Sequence, residues 1–413
     1  MQVDLSERPR AFRETFSSVP PVFLVFLLAG SASAQWPQWG GQDRNFSSSA
    51  TGLAEEWPAA GPRKIWERAL GAGHSSIVAD GGLLFTMYRS GDDEVVVALD
   101  AQTGATAWEH KYHTARSEAP NSTPSVEGDR LYTLGVSGML CALDKSSGKL
   151  VWSHDLVKEF EAKRPQYGFS ASPLAYGGSL ILPVGRAGYG VAAFALADGK
   201  LLWHKHDLEE VYASPILIEV EGEVQVAVLA AGQLVGLSPE TGELLWSEPI
   251  EGDQNIATPV WCSDKLLCVT ASPSGSVGLS FSKADGKTRV EKVWKNDKLQ
   301  IGQTTVVRAG DYFYGSTGND PYFVTAIHAK TGEVAWQEQG LSLANVVSAD
   351  EKILLLDYEG VLGLATARPK AWKVSSKVNM LKREAFTTPT LADKSLYLRD
   401  QERIIALDLG KPN

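Results

Sequence analysis

The chain is 413 residues long, 44% hydrophobic and 21% charged, and 49 acidic against 39 basic residues give it a net charge of −10. That apolar fraction can supply a packed core, and an acidic chain without a basic stripe lacks the electrostatic footprint of a nucleic-acid binder. The three cysteines, Cys141, Cys262 and Cys268, are too few and too scattered for a disulfide framework or a CxxC metal site, so three buried thiols are expected.

Arg8, Arg10 and Arg13 stand before the apolar run from Val22 to Ala29, and Ala32-Ser33-Ala34 offers the small residues that a signal peptidase reads. This is the pattern of a secretory signal peptide over residues 1–34, with an apolar run too short to cross a bilayer. In Leu28-Ala29-Gly30-Ser31 a serine holds the place of the cysteine that a lipoprotein would acylate, so no lipid anchor is expected. Residues 35–63 read as an N-terminal extension containing Trp36-Pro37-Gln38-Trp39-Gly40-Gly41. Loss of residues 35–56 is expected to be mild.

From residue 64 to residue 409 the sequence is a repeat. Ala98-Leu99-Asp100-Ala101-Gln102-Thr103-Gly104, followed by Trp108, returns as Ala142 to Trp152, Ala193 to Trp203, Gly236 to Trp246 and Ala326 to Trp336, with degenerate copies ending at Trp294 and Trp372. At a second fixed phase, Ser122-Thr123-Pro124, Ala171-Ser172-Pro173, Ala213-Ser214-Pro215, Ala257-Thr258-Pro259 and Thr387-Thr388-Pro389 each open a strand–turn–strand run. A period of roughly forty to forty-five residues holding four short strands is the signature of a propeller blade. The motif glycines, Gly104, Gly148, Gly199, Gly242, Gly286 and Gly332, sit where a turn needs positive φ. Each tryptophan is expected to pack between blades and tie its indole N–H to a neighbouring carbonyl.

Eight strand openings and eight motif tryptophans, counting the isolated Trp66, predict eight four-stranded antiparallel blades. The last copy, Ala406-Leu407-Asp408-Leu409-Gly410, has no tryptophan, whereas Arg63-Lys64-Ile65-Trp66-Glu67 is a spare strand. The expected fold is therefore an all-β, eight-bladed propeller over residues 64–409, closed by its N-terminal strand and followed by a short tail, 410–413. Such closure removes exposed sheet edges. In the fifth blade a Ser263-Asp264 turn would set Cys262 opposite Lys265 and away from Cys268.

Written as A-x-[DN]-x-x-[TS]-G-x-x-x-W, the motif resembles the pyrroloquinoline quinone (PQQ) repeat, and the resemblance runs over residues 64–409. That superfamily holds both quinoprotein alcohol dehydrogenases and binding scaffolds such as the BamB-type subunit of the outer-membrane protein assembly machinery. The enzymes are implied to clamp PQQ on the propeller axis against two adjacent cysteines, with a calcium ion bound beside it. This chain has no adjacent cysteine pair, and its positions at the axis-facing strand starts are His74, Asn121, Ser170, Tyr212, Asn255, Gln303, Asn345 and Phe386, a neutral funnel. No PQQ, calcium or other cofactor is therefore expected. The resemblance implies an exported, non-catalytic scaffold, periplasmic or secreted and monomeric, that binds an envelope protein or peptide. A PQQ-dependent or other redox enzyme is the alternative.

Propellers bind at the axis mouth and on the loops around it. Lys158 to Phe169 enlarges the link between the second and third blades and is expected to aim Arg164 and Tyr167 at the mouth. Arg186 to Gly190, with Tyr189, and Gly318 to Tyr322, with Asn319, are the other loops that depart from the consensus. His74, Asn121, Tyr212 and Asn345 complete the candidate set, and Arg and Tyr are the residue types that carry interface energy.

Overall fold

The structure is a computed structural model that describes residues 1, 35–114, 118–185, 187–209, 211–252, 255–271, 273–317, 320–367, 373–382 and 384–411. The expected signal peptide, and with it Arg186, Asn319 and Trp372 from the sequence reading, lies outside these apart from Met1.

Eight four-stranded sheets form, every strand pair antiparallel. Blade 1 shows the design. Its inner strand Val78–Asp80 is short, Leu83–Ser90 and Asp93–Asp100 follow, and Thr106–His113 is outermost. Val95 to Leu99 in the third strand are fully buried because neighbouring blades cover both faces. The outer strand instead alternates, with Trp108 buried between exposed neighbours.

Each blade's motif has a local cause. Asp100 Oδ1 accepts from the backbone N–H of Gln102 and Thr103 and from the Thr103 hydroxyl, at 3.1, 2.8 and 2.7 Å. The hydroxyl bond leads in holding the Asp100 carboxyl below its ordinary pKa. Gly104 closes the turn at φ 71°. A β-bulge at Ala98/Leu99 then sets Trp108 opposite Ala98, and the same irregularity recurs at Ala142/Leu143 and Ala193/Phe194. The residue facing the indole must be small: a Cβ on Gly236 would lie 2.0 Å from the Trp246 ring.

Trp66, Trp108, Trp152 and Trp203 each donate at 3.0 Å to a turn carbonyl of the next blade, those of Ala101, Lys145, Leu196 and Pro239. Trp294 does the same to Ala329 at 2.7 Å. Trp246 departs from the pattern and donates to Gln225 Oε1 in its own blade at 2.7 Å. The cause is the long hairpin of blade 5, Gly275–Ala284 with Lys287–Asn296, whose Gly286 turn has no neighbour within 4 Å of an added Cβ. Trp336 packs obliquely on Tyr314, ring centroids 5.9 Å apart.

The ring closes as expected. The strand Arg63–Ala69 pairs with Arg403–Asp408 and sets Trp66 opposite Ala406. A second tie is the fully buried Arg399, which gives hydrogen bonds to Met87 O at 2.7 Å, Thr86 Oγ1 at 2.9 Å and Gly71 O at 2.9 Å.

Two expectations need correction. Cys262 lies opposite Leu266, not Lys265, and Cys268 opposite Val260. Lys265 takes φ 61° and its N–H bonds Cys262 O at 3.1 Å, so the loop has one more residue than a two-residue turn. All three thiols are free and buried, and burial raises Cys141 to about 12. The second correction concerns residues 36–57, which are wound into the ring. Trp36 exchanges backbone hydrogen bonds with Ala79 of blade 1, Pro37 O accepts from Val126 of blade 2, and Phe46 and Ser48 pair with Ser348 of blade 7. Trp36, Phe46 and Leu53 are almost wholly buried. Removing this stretch would strip core, so its loss is not mild.

Candidate functional site

The strand-opening motifs turn out to build a belt around the axis. The Ser76 N–H donates to Thr123 Oγ1 at 3.0 Å, Thr123 N–H to Ser172 Oγ at 3.0 Å, Ser172 N–H to Ser214 Oγ at 2.9 Å and Ser214 N–H to Thr258 Oγ1 at 3.3 Å. Each hydroxyl thereby satisfies the backbone of the preceding blade at the crowded centre, where the following proline cannot donate.

Beneath the belt the N-terminal segment crosses the axis. Arg44, 3% exposed, donates to Pro215 O at 2.8 Å, to Gln38 Oε1 at 2.9 Å and to Pro173 O. Burial pulls its pKa down to about 9. Trp39 rises from the same segment, packs edge-on against Phe46 and donates from Nε1 to Thr258 Oγ1 at 2.9 Å.

Above this plug lies a cavity of about 630 Å³. Trp39 and the hydroxyls of Ser172, Ser214 and Thr258 are at its base, and Asn121, Tyr212 and Phe386 are on its wall. Gln166, Tyr167 and Gln303 are exposed at its rim. Among the described residues Glu118 also lines it, so the funnel expected to be neutral carries a carboxylate.

His74 is on the wall, edge-on to Phe386 at 5.7 Å and bonded through Nδ1 to the Gln401 amide at 3.1 Å. Burial, and then the charge of Arg399, depress its pKa to about 4, so the imidazole is neutral near pH 7. Asn121 ties the mouth loop down by donating to Tyr167 O at 3.1 Å and Ser170 Oγ at 3.2 Å. Tyr167 leans on Tyr212, ring centroids 5.8 Å apart, yet stays 48% exposed. The loop itself is launched by a one-turn helix, Leu156–Phe160, capped by Asp155 and ended at Glu161 in the left-handed region.

The structure thus gathers His74, Asn121, Tyr167 and Tyr212 around one cavity. It does not gather the rest. Asn345 is buried between blades 7 and 8, donating to Phe386 O at 2.8 Å and accepting from Thr388 Oγ1 at 3.2 Å. Asn255 is likewise buried and donates to Ala230 O. Arg164 is half-buried in the mouth loop but does not line the cavity. Tyr189 turns outward and stacks on His204 of its own blade's outer strand, 3.6 Å between centroids. The residues sequence reasoning missed are Trp39, Glu118 and the belt hydroxyls. The hydroxyls had a visible signal, a Ser or Thr directly before each strand-opening proline.

The donor set does not match a quinone held with calcium. No two cysteines are adjacent, and among the described residues no group of three His, Cys, Asp or Glu could hold a metal ion. No described helix is long and apolar enough to cross a membrane.

Fold and cavity together define a PQQ-like repeat propeller with a plugged axis. Residues 92–338 match the family model described as outer membrane protein assembly factor BamB, and the chain belongs to that family. The outer membrane protein assembly factor BamB of Yersinia pestis is 26% identical over 235 residues, 52% of this chain and 56% of that protein. The quinohemoprotein alcohol dehydrogenase ADH IIB of Pseudomonas putida is 31% identical over 128 residues, 28% of this chain and 18% of that protein. This chain therefore spans less than two thirds of either relative's length. The crystal structure of BamB from Moraxella catarrhalis superimposes with a TM-score of 0.63 at 18% identity, over 85% of this chain and 98% of that one, a likeness of fold.

Proposed function

We propose that the protein is an exported, non-catalytic propeller scaffold that binds a protein or peptide partner in the cell envelope. The observation that carries this reading is the mouth loop, which holds Tyr167 exposed on a fixed backbone through Asn121 and Tyr212. An aromatic side chain already immobilised on a rigid ring loses little entropy on docking, which is what an interface anchor needs. The family match and the leader pattern over residues 1–34 support the envelope location. The quinohemoprotein relative favours the alternative of a PQQ-dependent dehydrogenase, but the missing adjacent cysteine pair speaks against it.

The test is capture from envelope extract on the immobilised protein, followed by Tyr167→Ala and Tyr189→Ala. A partner retained by the wild type and by Tyr189→Ala, but lost with Tyr167→Ala at an unchanged melting temperature, is the expected result. Alcohol oxidation that appears on adding PQQ and Ca²⁺ would overturn the scaffold reading.

A further inference from the structure

Glu94 is wholly buried where blade 1 meets blade 2. Its Oε1 accepts the Val136 N–H at 2.8 Å and its Oε2 the Ser137 hydroxyl at 3.2 Å. Both partners belong to the turn 135–138, between the strands Arg130–Leu134 and Met139–Asp144 of blade 2. The fit is close, since a Cβ on Gly135 would lie 2.3 Å from Glu94 Oε2 and 2.4 Å from the Tyr112 hydroxyl. One carboxyl of blade 1 thus fixes a turn of the next blade.

That turn is the bed of the mouth loop. Val136 O accepts the Phe169 N–H at 3.2 Å, and Gly168 lies so near that an added Cβ would be 2.2 Å from Val136 Cγ2. A Cβ on Gly138 would lie 2.7 Å from the Phe169 ring, and the Gly138 carbonyl accepts the N–H of Leu156, where the loop is launched. Tyr167 directly precedes Gly168. A shift at Glu94 therefore has a continuous bonded path to Tyr167.

A carboxyl in such a place is costly to ionise. Among the described residues, the titratable and charged groups that face Glu94 are Arg89 and Tyr112, opposite it in the flanking strands, and Cys141 of blade 2. Burial outweighs the hydrogen bonds from Val136, Ser137 and Tyr112 and raises the Glu94 pKa above the ordinary carboxyl value. A carboxyl that parts from the turn and meets water regains its ordinary pKa. Linkage then has one sign: the docked turn is favoured with the proton on and weakened as pH rises through the raised pKa.

We propose that Glu94 is a proton-sensitive latch for the mouth loop: as the acid it holds the turn 135–138, and with it Tyr167, in place, and as the carboxylate it lets that bed loosen. The latch stands without the scaffold reading; its use in regulating partner docking rests on that reading.

The test is hydrogen–deuterium exchange of the purified protein, read on peptides covering residues 135–138 and 161–169 from about pH 4.5 to 8 with the intrinsic exchange rates divided out. The blade 6 strand Phe323–His328 serves as reference. Wild-type protection in both segments should fall about threefold or more as pH rises from about 5 to 8, while the reference stays flat. Glu94→Gln keeps a carbonyl acceptor without the charge and should hold the low-pH level throughout. Protection that is flat or rises with pH, or that falls equally in Glu94→Gln or in the reference strand, would overturn the latch. Where Glu94→Gln does not fold, the wild-type profile against the reference strand decides alone. No partner enters this measurement, so a failed latch is distinguishable from a failed scaffold reading, which Tyr167→Ala tests by partner capture.

Discussion

The indole N–H of Trp39 donates to the Thr258 hydroxyl at 2.9 Å across 219 residues of sequence. Thr258 also accepts from the Ser214 N–H, so its two lone pairs join the N-terminal plug and the belt of inner-strand hydroxyls into one network. Whatever loosens the plug is therefore felt in the belt and at the cavity base.

Arg44→Ala should lower stability by about 2–4 kcal/mol, because it strands the carbonyls of Pro173 and Pro215 at the buried centre. Arg44→Lys should not restore it, since one ammonium cannot reproduce a fork reaching both carbonyls and Gln38. Urea unfolding of the three proteins checks this; wild-type stability in Arg44→Lys would show that charge alone suffices.

Gly148 and Gly286 share a positive φ, 69° and 73°, but not their surroundings. A Cβ at Gly148 would lie 2.4 Å from the Trp108 ring, whereas one at Gly286 meets nothing within 4 Å. Gly286→Ala should cost only the left-handed strain, about 1–2 kcal/mol, and Gly148→Ala clearly more, because the tryptophan between the blades must move. Equal losses in thermal unfolding would mean that the motif glycine serves the turn and not the packing.

His74 gives stability a pH signature. Its pKa falls from 6.5 to about 4 on folding, so between those values the unfolded chain binds the extra proton. Its contribution is complete above about pH 6.5 and is lost as pH falls toward 4, at a slope of up to about 1.4 kcal/mol per pH unit. The stability difference between wild type and His74→Gln should therefore shrink from pH 7 to pH 4.5 in urea titrations. A pH-independent difference would mean that the imidazole ionises equally in both states.

Trp66→Ala should destabilise by about 3 kcal/mol, the low end for a large aromatic because the ring is only half-buried. Trp66→Phe should recover part of the loss while lacking the donor to Ala101 O. Differential scanning calorimetry of the pair, with an exposed-loop substitution as reference, separates ring packing from the hydrogen bond.

Much of this was legible because repetition averages out local ambiguity. Five good copies put Asp100 and its counterparts at a turn and each tryptophan one bulge beyond it, and even the spare Trp66 strand found its partner at Ala406. The site was legible only in part, for a physical reason. Repeat phase gives the height of a residue along the axis, which placed His74, Asn121 and Tyr212 at the cavity, but not whether its side chain faces the axis or the next blade, which decided Asn345 and Asn255. The plug was illegible because Trp39 and Arg44 lie outside the repeat, and only contacts more than a hundred residues distant in sequence show where they belong.

The strand that carries Trp66 is among the first parts of the folded body to be synthesised, and its partner, Arg403–Asp408, is among the last. Seven blades can assemble from neighbouring sequence, but the eighth must wait for Arg403–Asp408 to be made. A product that stops short of residue 403 leaves Trp66 unmatched, a sheet edge open and the Arg399 tie without its adjoining strand, however well its other blades have formed. The seam between first and last strands thus reports whether the propeller itself is complete: a ring that includes residues 403–408 closes, and one that lacks them leaves an unpaired edge.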